Sequence, residues 1–189
     1  MARSRSSTGT VATNAAVVMH GWTLLAHPLF LEQLERLVAA AARERAAAGA
    51  RAGPNTKLLA HILDLVLDKI PRAPGDAAYR HGGAIAGGHR DWFRAKTGNG
   101  RYRLFYRFHS PARIIVYAWV SDADSLCSYG ARDDAYVVFA RMLAAGNPPS
   151  SWDALEKAAE KAAQRGGLAR VVGVARRTLG AARVDDSTG

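Results

Sequence analysis

Apolar residues recur at helical spacing from Leu29 to about Ala48. Phe30, Leu34, Leu37, Val38 and Ala41 line one face, and Pro28 suits the entry or first turn. Gly49, Gly53 and Pro54 break this pattern. Asn55 or Thr56 can then cap a second helix, whose Leu59, Ile62, Leu63, Val66 and Ile70 form a stripe ending at Pro71. Two amphipathic helices in tandem predict a helical hairpin. The period then shortens: Tyr79 to Ile85, Trp92 to Thr97, Arg101 to Phe108 and Arg113 to Val120 are short, rich in β-branched and aromatic residues, and separated by Gly or Pro turns. They predict four strands, with Gly98-Asn99-Gly100 and Ser110-Pro111 as tight turns between the last three.

The run from Ile114 to Val120 is apolar almost throughout, which suits a central strand covered on both faces. Arg101 to Phe108 alternates instead. Tyr102, Leu104, Tyr106 and Phe108 point one way, and Arg101, Arg103, Phe105 and Arg107 the other. A further helix is expected from about Asp133 to Ala145, stopped by Gly146-Asn147-Pro148-Pro149, and another from Trp152 to about Gln164, capped by Ser150 with Asp153. Beyond it Leu168, Val171, Val172, Ala175 and Leu179 could stripe a basic helix, but Gly166, Gly167, Gly173 and Gly180 each cost ~1 kcal/mol relative to Ala. The organisation expected is a disordered extension over residues 1–18, one domain over 19–155, and a helix end with a partly disordered basic tail over 156–189.

A formal net charge of +10 and a pI near 10.3 add a polyanionic partner to this picture. The single cysteine, Cys127, excludes an intramolecular disulfide framework and points to a reducing, cytoplasmic setting. No apolar run approaches the ~20 residues of a membrane-spanning helix. No basic recognition helix in a helix-turn-helix pattern is evident, which disfavours direct DNA binding.

The chemistry concentrates in His89 to Arg107. Arg94 and Lys96 lie two apart on one strand, and Arg101, Arg103 and Arg107 lie on the facing strand across a short turn, so their charges can converge on one face. Crowded like charges call for an anion, for which phosphate is the obvious candidate; a solvated face or a landing site for acidic residues of another protein would have the same spacing. His81, after Arg80, is the one histidine near this group. His20, His61, His89 and His109 have no convergent acidic or thiol partners in the pattern, and no metal or other cofactor is expected.

The run Trp92 to Phe108, preceded by Tyr79-Arg80-His81-Gly82 and followed by Tyr129-Gly130 and Asp133-Asp134-Ala135-Tyr136, resembles the YhaV toxins, a branch of the RelE superfamily of bacterial toxin–antitoxin ribonucleases. So do Gly21-Trp22, Ala26-His27-Pro28, Thr56-Lys57-Leu58-Leu59, and Pro148-Pro149 with Trp152, and the similarity spans about His20 to Leu155.

This resemblance implies an α+β fold in which a helical hairpin packs on one face of a small, mainly antiparallel sheet while the other face receives RNA. It also implies metal-independent cleavage of messenger RNA, on or off the ribosome, by attack of a ribose 2′-hydroxyl. The partner implied is a neutralising antitoxin of the PrlF type, with DNA engaged only through that complex. In such a site Arg94 would stabilise the transition state and Lys96 would assist proton transfer. Arg103 would hold a phosphate near the scissile one, and Tyr136 would stack on a base or share in proton transfer. Arg80, His81, Arg101, Arg107 and Arg132 would contribute to RNA binding. A non-catalytic RNA- or ribosome-binding translation inhibitor would use the same arginines, and the residues alone leave that alternative open.

Overall fold

In the computed structural model, which describes residues 16–48, 52–122 and 134–180, the helical hairpin is realised as α1 (Pro28–Ala48) and α2 (Pro54–Asp64). The start of α2 is capped from a distance rather than by its own Asn55 or Thr56. The Glu44 carboxylate on α1 accepts the backbone N–H groups of Asn55 and Thr56, both at 2.9 Å, and both their side chains as well. Desolvation works against the ionised carboxylate, but these bonds outweigh it and hold Glu44 below the usual carboxylate range. Gly53, the residue before α2, has no room for a side chain, because a Cβ there would meet the Glu44 carboxylate at 2.6 Å. After Asp64 the helix widens into a π turn over Leu65–Lys69 and closes with α3 (Ile70–Arg72). The Tyr117 hydroxyl donates to the Val66 carbonyl within that π turn, at 2.7 Å.

Five strands form one sheet in the order β1-β2-β5-β4-β3. Three of them, β3 (Phe93–Thr97), β4 (Tyr102–His109) and β5 (Ile114–Val120), are those expected from the alternating pattern, and β5 is central as its unbroken apolar run implied. The other two, β1 (Val17–Met19) and β2 (Trp22–Ala26), were not anticipated. β2 runs parallel to β5 and all other pairs are antiparallel. Val17 and Val18 thus belong to the sheet, not to the extension to which the sequence pattern assigned them.

The expected strand Tyr79 to Ile85 is absent. Ala77–Tyr79 forms a 3-10 turn, and the chain then bends through Gly82, Gly83, Gly87 and Gly88, all with positive φ, leaving β3 as the edge of the sheet. The tail also differs from expectation: α6 (Gly167–Leu179) is a regular helix whose Leu168, Val171, Val172 and Ala175 are buried with the α1–α2 layer. Gly166 and Gly180 flank it with left-handed φ and Gly167 is its first residue, so Gly173 alone carries the interior penalty of ~1 kcal/mol. Burial of three aliphatic side chains, at ~1.5–3 kcal/mol each, outweighs that.

The sheet therefore separates two apolar layers. Leu104, Tyr106, Ile115, Tyr117 and Val120 face α1, α2 and α6, whereas Phe105, Val116, Ala118 and Trp119 face α4 (Ala135–Ala144) and α5 (Trp152–Ala163). The alternation read along β4 holds. A register shift between Phe105 and Tyr106, where β5 carries one extra residue, turns both Ala118 and Trp119 to the α4 side.

His27, between β2 and α1, is buried at 4% exposure, and its Nδ1 accepts the Leu29 N–H at 3.3 Å. Burial pushes its imidazole down from 6.5 to about 4. Between those values the unfolded chain binds a proton that the folded chain refuses, so stability is full above the upper value and declines as pH falls through the window, by up to ~3 kcal/mol. Urea midpoints recorded from neutral pH down to about pH 4.5 should drop more steeply for the wild type than for His27→Asn, and parallel curves would remove His27 as the source.

Candidate active site

The β3–β4 hairpin sets the position of the cationic side chains. Its turn, Gly98-Asn99-Gly100, takes positive φ at all three residues, which glycine and asparagine tolerate, and it fixes a register in which Lys96 lies directly opposite Arg103 and Arg94 opposite Phe105. Arg94, Lys96, Arg103 and Phe105 therefore share the face that α4 covers.

α4 brings Tyr136 to the same place. Asp134 caps the helix, accepting the Tyr136 N–H at 2.9 Å. One turn later Phe139 stacks on Phe105 with ring centroids 4.1 Å apart and on Trp119 at 5.8 Å, while Trp92 meets it edge-on at 5.0 Å. The Tyr136 ring stands edge-on to Phe105 at 5.8 Å. The ring packs in the aromatic layer while the hydroxyl reaches past it to the arginines.

There the geometry converges. Arg94 Nε donates to Tyr136 Oη at 2.9 Å, and Arg103 Nε donates to the same oxygen at 3.3 Å. The Arg94 guanidinium is further held by the Ala78 carbonyl at 2.8 Å, and that of Arg103 by the carbonyls of Gly100 and Tyr102 at 2.5 and 3.0 Å. Two bonds between Arg103 and Ser121, one to a side chain and one to the backbone, fix the strand beneath: Arg103 N–H donates to Ser121 Oγ at 2.8 Å, and Ser121 N–H to the Arg103 carbonyl at 2.9 Å.

Among the described residues no carboxylate pairs with Arg94, Lys96, Arg101 or Arg103. Arg103 is only 5% exposed. A buried cation held by neutral acceptors alone is costly to keep and poised for an anion. With two N–H groups directed at it, the Tyr136 oxygen has both lone pairs engaged and its own O–H left to give. Lys96 is exposed beside Arg103, and Arg101 is exposed in the turn.

The other residues proposed from sequence lie elsewhere. Arg107, two positions beyond Phe105 on the same face, is tied into structure: it pairs with Asp91, donates to the Ser150 carbonyl at 2.6 Å, and lies over the rings of Trp92 and Trp152. Burial lowers the pKa of its guanidinium, against the pull of Asp91. Arg80 lies over the Phe93 ring at 4.9 Å, beside the sheet edge. His81 is in a loop, not on a strand, and closes it: one ring nitrogen meets the His89 carbonyl at 2.9 Å and the other accepts the Ile85 N–H at 3.5 Å. Trp92, at the start of the run that ends at Phe108, is buried. Arg132 lies outside the described residues, as do Tyr129, Gly130 and Asp133. The face expected to receive RNA is covered over its middle by α4 and α5, which leaves the arginine–tyrosine group at the turn end of β3 and β4 and beside the start of α4. Two features escaped the sequence pattern: the convergence on Tyr136, which depends on a contact between residues 42 apart, and the anchoring carbonyls of Ala78 and Gly100.

The chain matches the family model described as a toxin with endonuclease activity, of a toxin–antitoxin system, over residues 24–160. It is 38% identical over 146 residues to Toxin YhaV of Escherichia coli O6:H1, covering 76% of this chain and 95% of that protein. Identity to the Ribonuclease toxin YhaV of Escherichia coli strain K12 is 37% over 146 residues, with the same coverage. No solved structure matches the chain.

The aromatic stack that seats α4 is testable apart from any chemistry. Phe139→Ala should lower the free energy of unfolding by ~3–5 kcal/mol in urea titrations. A loss under ~1 kcal/mol would mean that Phe139 does not hold Tyr136 in place.

Proposed function

Because the chain belongs to the YhaV toxin family, which its match over residues 24–160 establishes, we propose that it is a metal-independent endoribonuclease that cuts messenger RNA in the cytoplasm, arrests translation, and is silenced by an antitoxin of the PrlF type. The observation that carries the chemistry is the meeting of Arg94 and Arg103 on Tyr136 Oη without a carboxylate. Among the described residues no three His, Cys, Asp or Glu side chains gather in a way that could hold a metal ion. No helix among them is long and apolar enough to cross a membrane.

The scissile phosphate binds where the two guanidinium groups present their remaining donors. The ribose 2′-oxygen attacks phosphorus as its proton passes to solvent water, the bond from phosphorus to the 5′-oxygen breaks, and the products are a 2′,3′-cyclic phosphate and a 5′-hydroxyl, solvent returning a proton to the phenol that protonates the leaving oxygen. Negative charge grows on the non-bridging oxygens in the transition state, and planar donors fixed in advance by backbone carbonyls stabilise it without having to reorganise. Tyr136 has its O–H free and gives that proton to the departing 5′-oxygen. Arg94 and Arg103 then face the charge left on the phenol oxygen. Lys96, exposed opposite Arg103, assists the transfer at the 2′-oxygen, and Arg101 on the turn holds a neighbouring phosphate. Acidic side chains are the natural complement an antitoxin would bring to this group, since no carboxylate of the described residues pairs with it.

Cleavage of RNA in EDTA, with ribosomes supplied in a parallel reaction, tests this reading. Arg94→Ala should lose roughly 10²-fold or more in rate. Tyr136→Phe should lose roughly 10²–10⁴-fold in kcat while keeping its fold. Full activity in both variants, or products without cyclic phosphate ends, would overturn the mechanism. Binding without cleavage by the wild type would leave only a translation inhibitor acting by occupancy.

A further inference from the structure

The loop between the 3-10 turn and β3 closes on itself through His81, whose ring spans the His89 carbonyl and the Ile85 N–H, while the His81 carbonyl accepts the Ala84 N–H at 3.1 Å. The residues next to this clip are Arg80 and Arg90, so closing the loop brings both arginines to the lining of one cavity. They line a cavity of about 320 Å³ with His81, Gly82, Gly83 and Trp92. Neither arginine has a carboxylate partner among the described residues, for Arg80 meets only the Phe93 ring and the nearby Asp91 is engaged by Arg107. Gly82 and Gly83 have positive φ, and a Cβ on either would meet nothing within 4 Å, so the backbone is open to close approach from outside.

The cavity adjoins the proposed active site. Trp92 in its wall is two residues from Arg94, a step of ~7 Å along an extended chain, and Arg94 itself donates to the carbonyl of Ala78, two residues before Arg80. Two like charges lining one cavity, with no carboxylate partner among the described residues and a second such pair two to a few residues further along the chain, describe a track for a phosphodiester chain.

We propose that Arg80 and Arg90 form a second phosphate subsite, which takes the RNA phosphodiester flanking the scissile one. This inference rests on the reading of the chain as an RNA-cleaving enzyme for the identity of its ligand, but not for its test. His81 serves the subsite as a positioning residue: it sets the separation of the two arginines and does not act on the substrate.

The test uses the full chain and a short single-stranded 2′-O-methyl oligoribonucleotide, which binds but cannot be cut. Anisotropy titrations at several salt concentrations give the slope of log K against log salt, and each lost phosphate contact reduces that slope by ~0.7 for a single strand. Arg90→Gln should reduce it by part of that amount and weaken binding severalfold at low salt. Arg80→Gln combined with Arg90→Gln should bring the reduction to the full ~0.7, because both arginines address one phosphate. His81→Asn should give a loss between the wild type and Arg90→Gln. Melting temperatures near that of the wild type will show that Arg90→Gln is folded, and Arg90→Lys, which keeps the charge, should restore most of the slope.

An unchanged slope in the double variant overturns the subsite. So does stabilisation of the wild type by inorganic phosphate, lost in Arg90→Gln, if the RNA slope stays the same, for the cavity would then be a free-anion site. The two readings fail separately. A wild type that binds but does not cleave removes the catalytic proposal and leaves the slope measurement standing, whereas cleavage abolished in Arg94→Ala beside an unaltered slope in Arg90→Gln removes the subsite alone.

Discussion

Arg103 carries a full positive charge to a position almost out of reach of solvent, with no carboxylate of the described residues to receive it. An isolated buried cation of this kind is among the most expensive arrangements a small domain can hold, and it persists here because neutral acceptors surround it: the carbonyls of Gly100 in the hairpin turn and Tyr102 at the start of β4, and a tyrosine oxygen shared with Arg94. Carbonyl and phenol dipoles satisfy the hydrogen bonds of a guanidinium without cancelling its charge. The pocket therefore keeps its positive charge, which is the property the proposed phosphate site draws on.

The remainder of the architecture holds that arrangement still. One apolar layer locks the sheet to α1, α2 and α6, helped by the buried hydroxyls of Tyr106 and Tyr117, which donate to the carbonyls of Pro74 and Val66. The opposite layer stacks Phe105, Phe139 and Trp119 and so determines where α4 begins, hence where Tyr136 reaches. Arg107, wedged between two tryptophans and joined to Asp91, secures the start of β3 against the segment before α5. The cationic cluster is thus built from strands and a helix on a rigid platform, with only Ala78 and Gly100 contributed by irregular backbone.

Much of this was legible in the residues because local periodicity governs it. The α1–α2 hairpin, the three antiparallel strands, the two-faced character of β4 and the convergence of Arg94, Lys96 and Arg103 all follow from spacings within a few positions of one another. What was not legible depends on distant partners. Trp22 to Ala26 gains its strand identity from β5, some ninety residues later, and looks unremarkable alone. Tyr79 to Ile85 alternates like a strand but has no neighbour to pair with and follows its glycines instead. In α6, glycine propensity pointed to a frayed tail, while the contacts with α1 decided the outcome. At the candidate site the arginines were evident as a set, but nothing in the one-dimensional pattern distinguished Arg107, consumed by internal bonds, from Arg103, which is left uncompensated.

The pairing of β2 with β5 also governs the order in which the chain can be assembled. Since the first long strand leaves the ribosome well before its parallel partner, and Tyr136 later still, a growing chain passes through most of its synthesis with the sheet unclosed and the arginines unopposed by their tyrosine. At ~5–20 residues per second, the interval between β2 and α4 is several seconds. The interval between the emergence of β2 and the completion of the arginine–tyrosine group is thereby set by how far apart these elements lie along the chain.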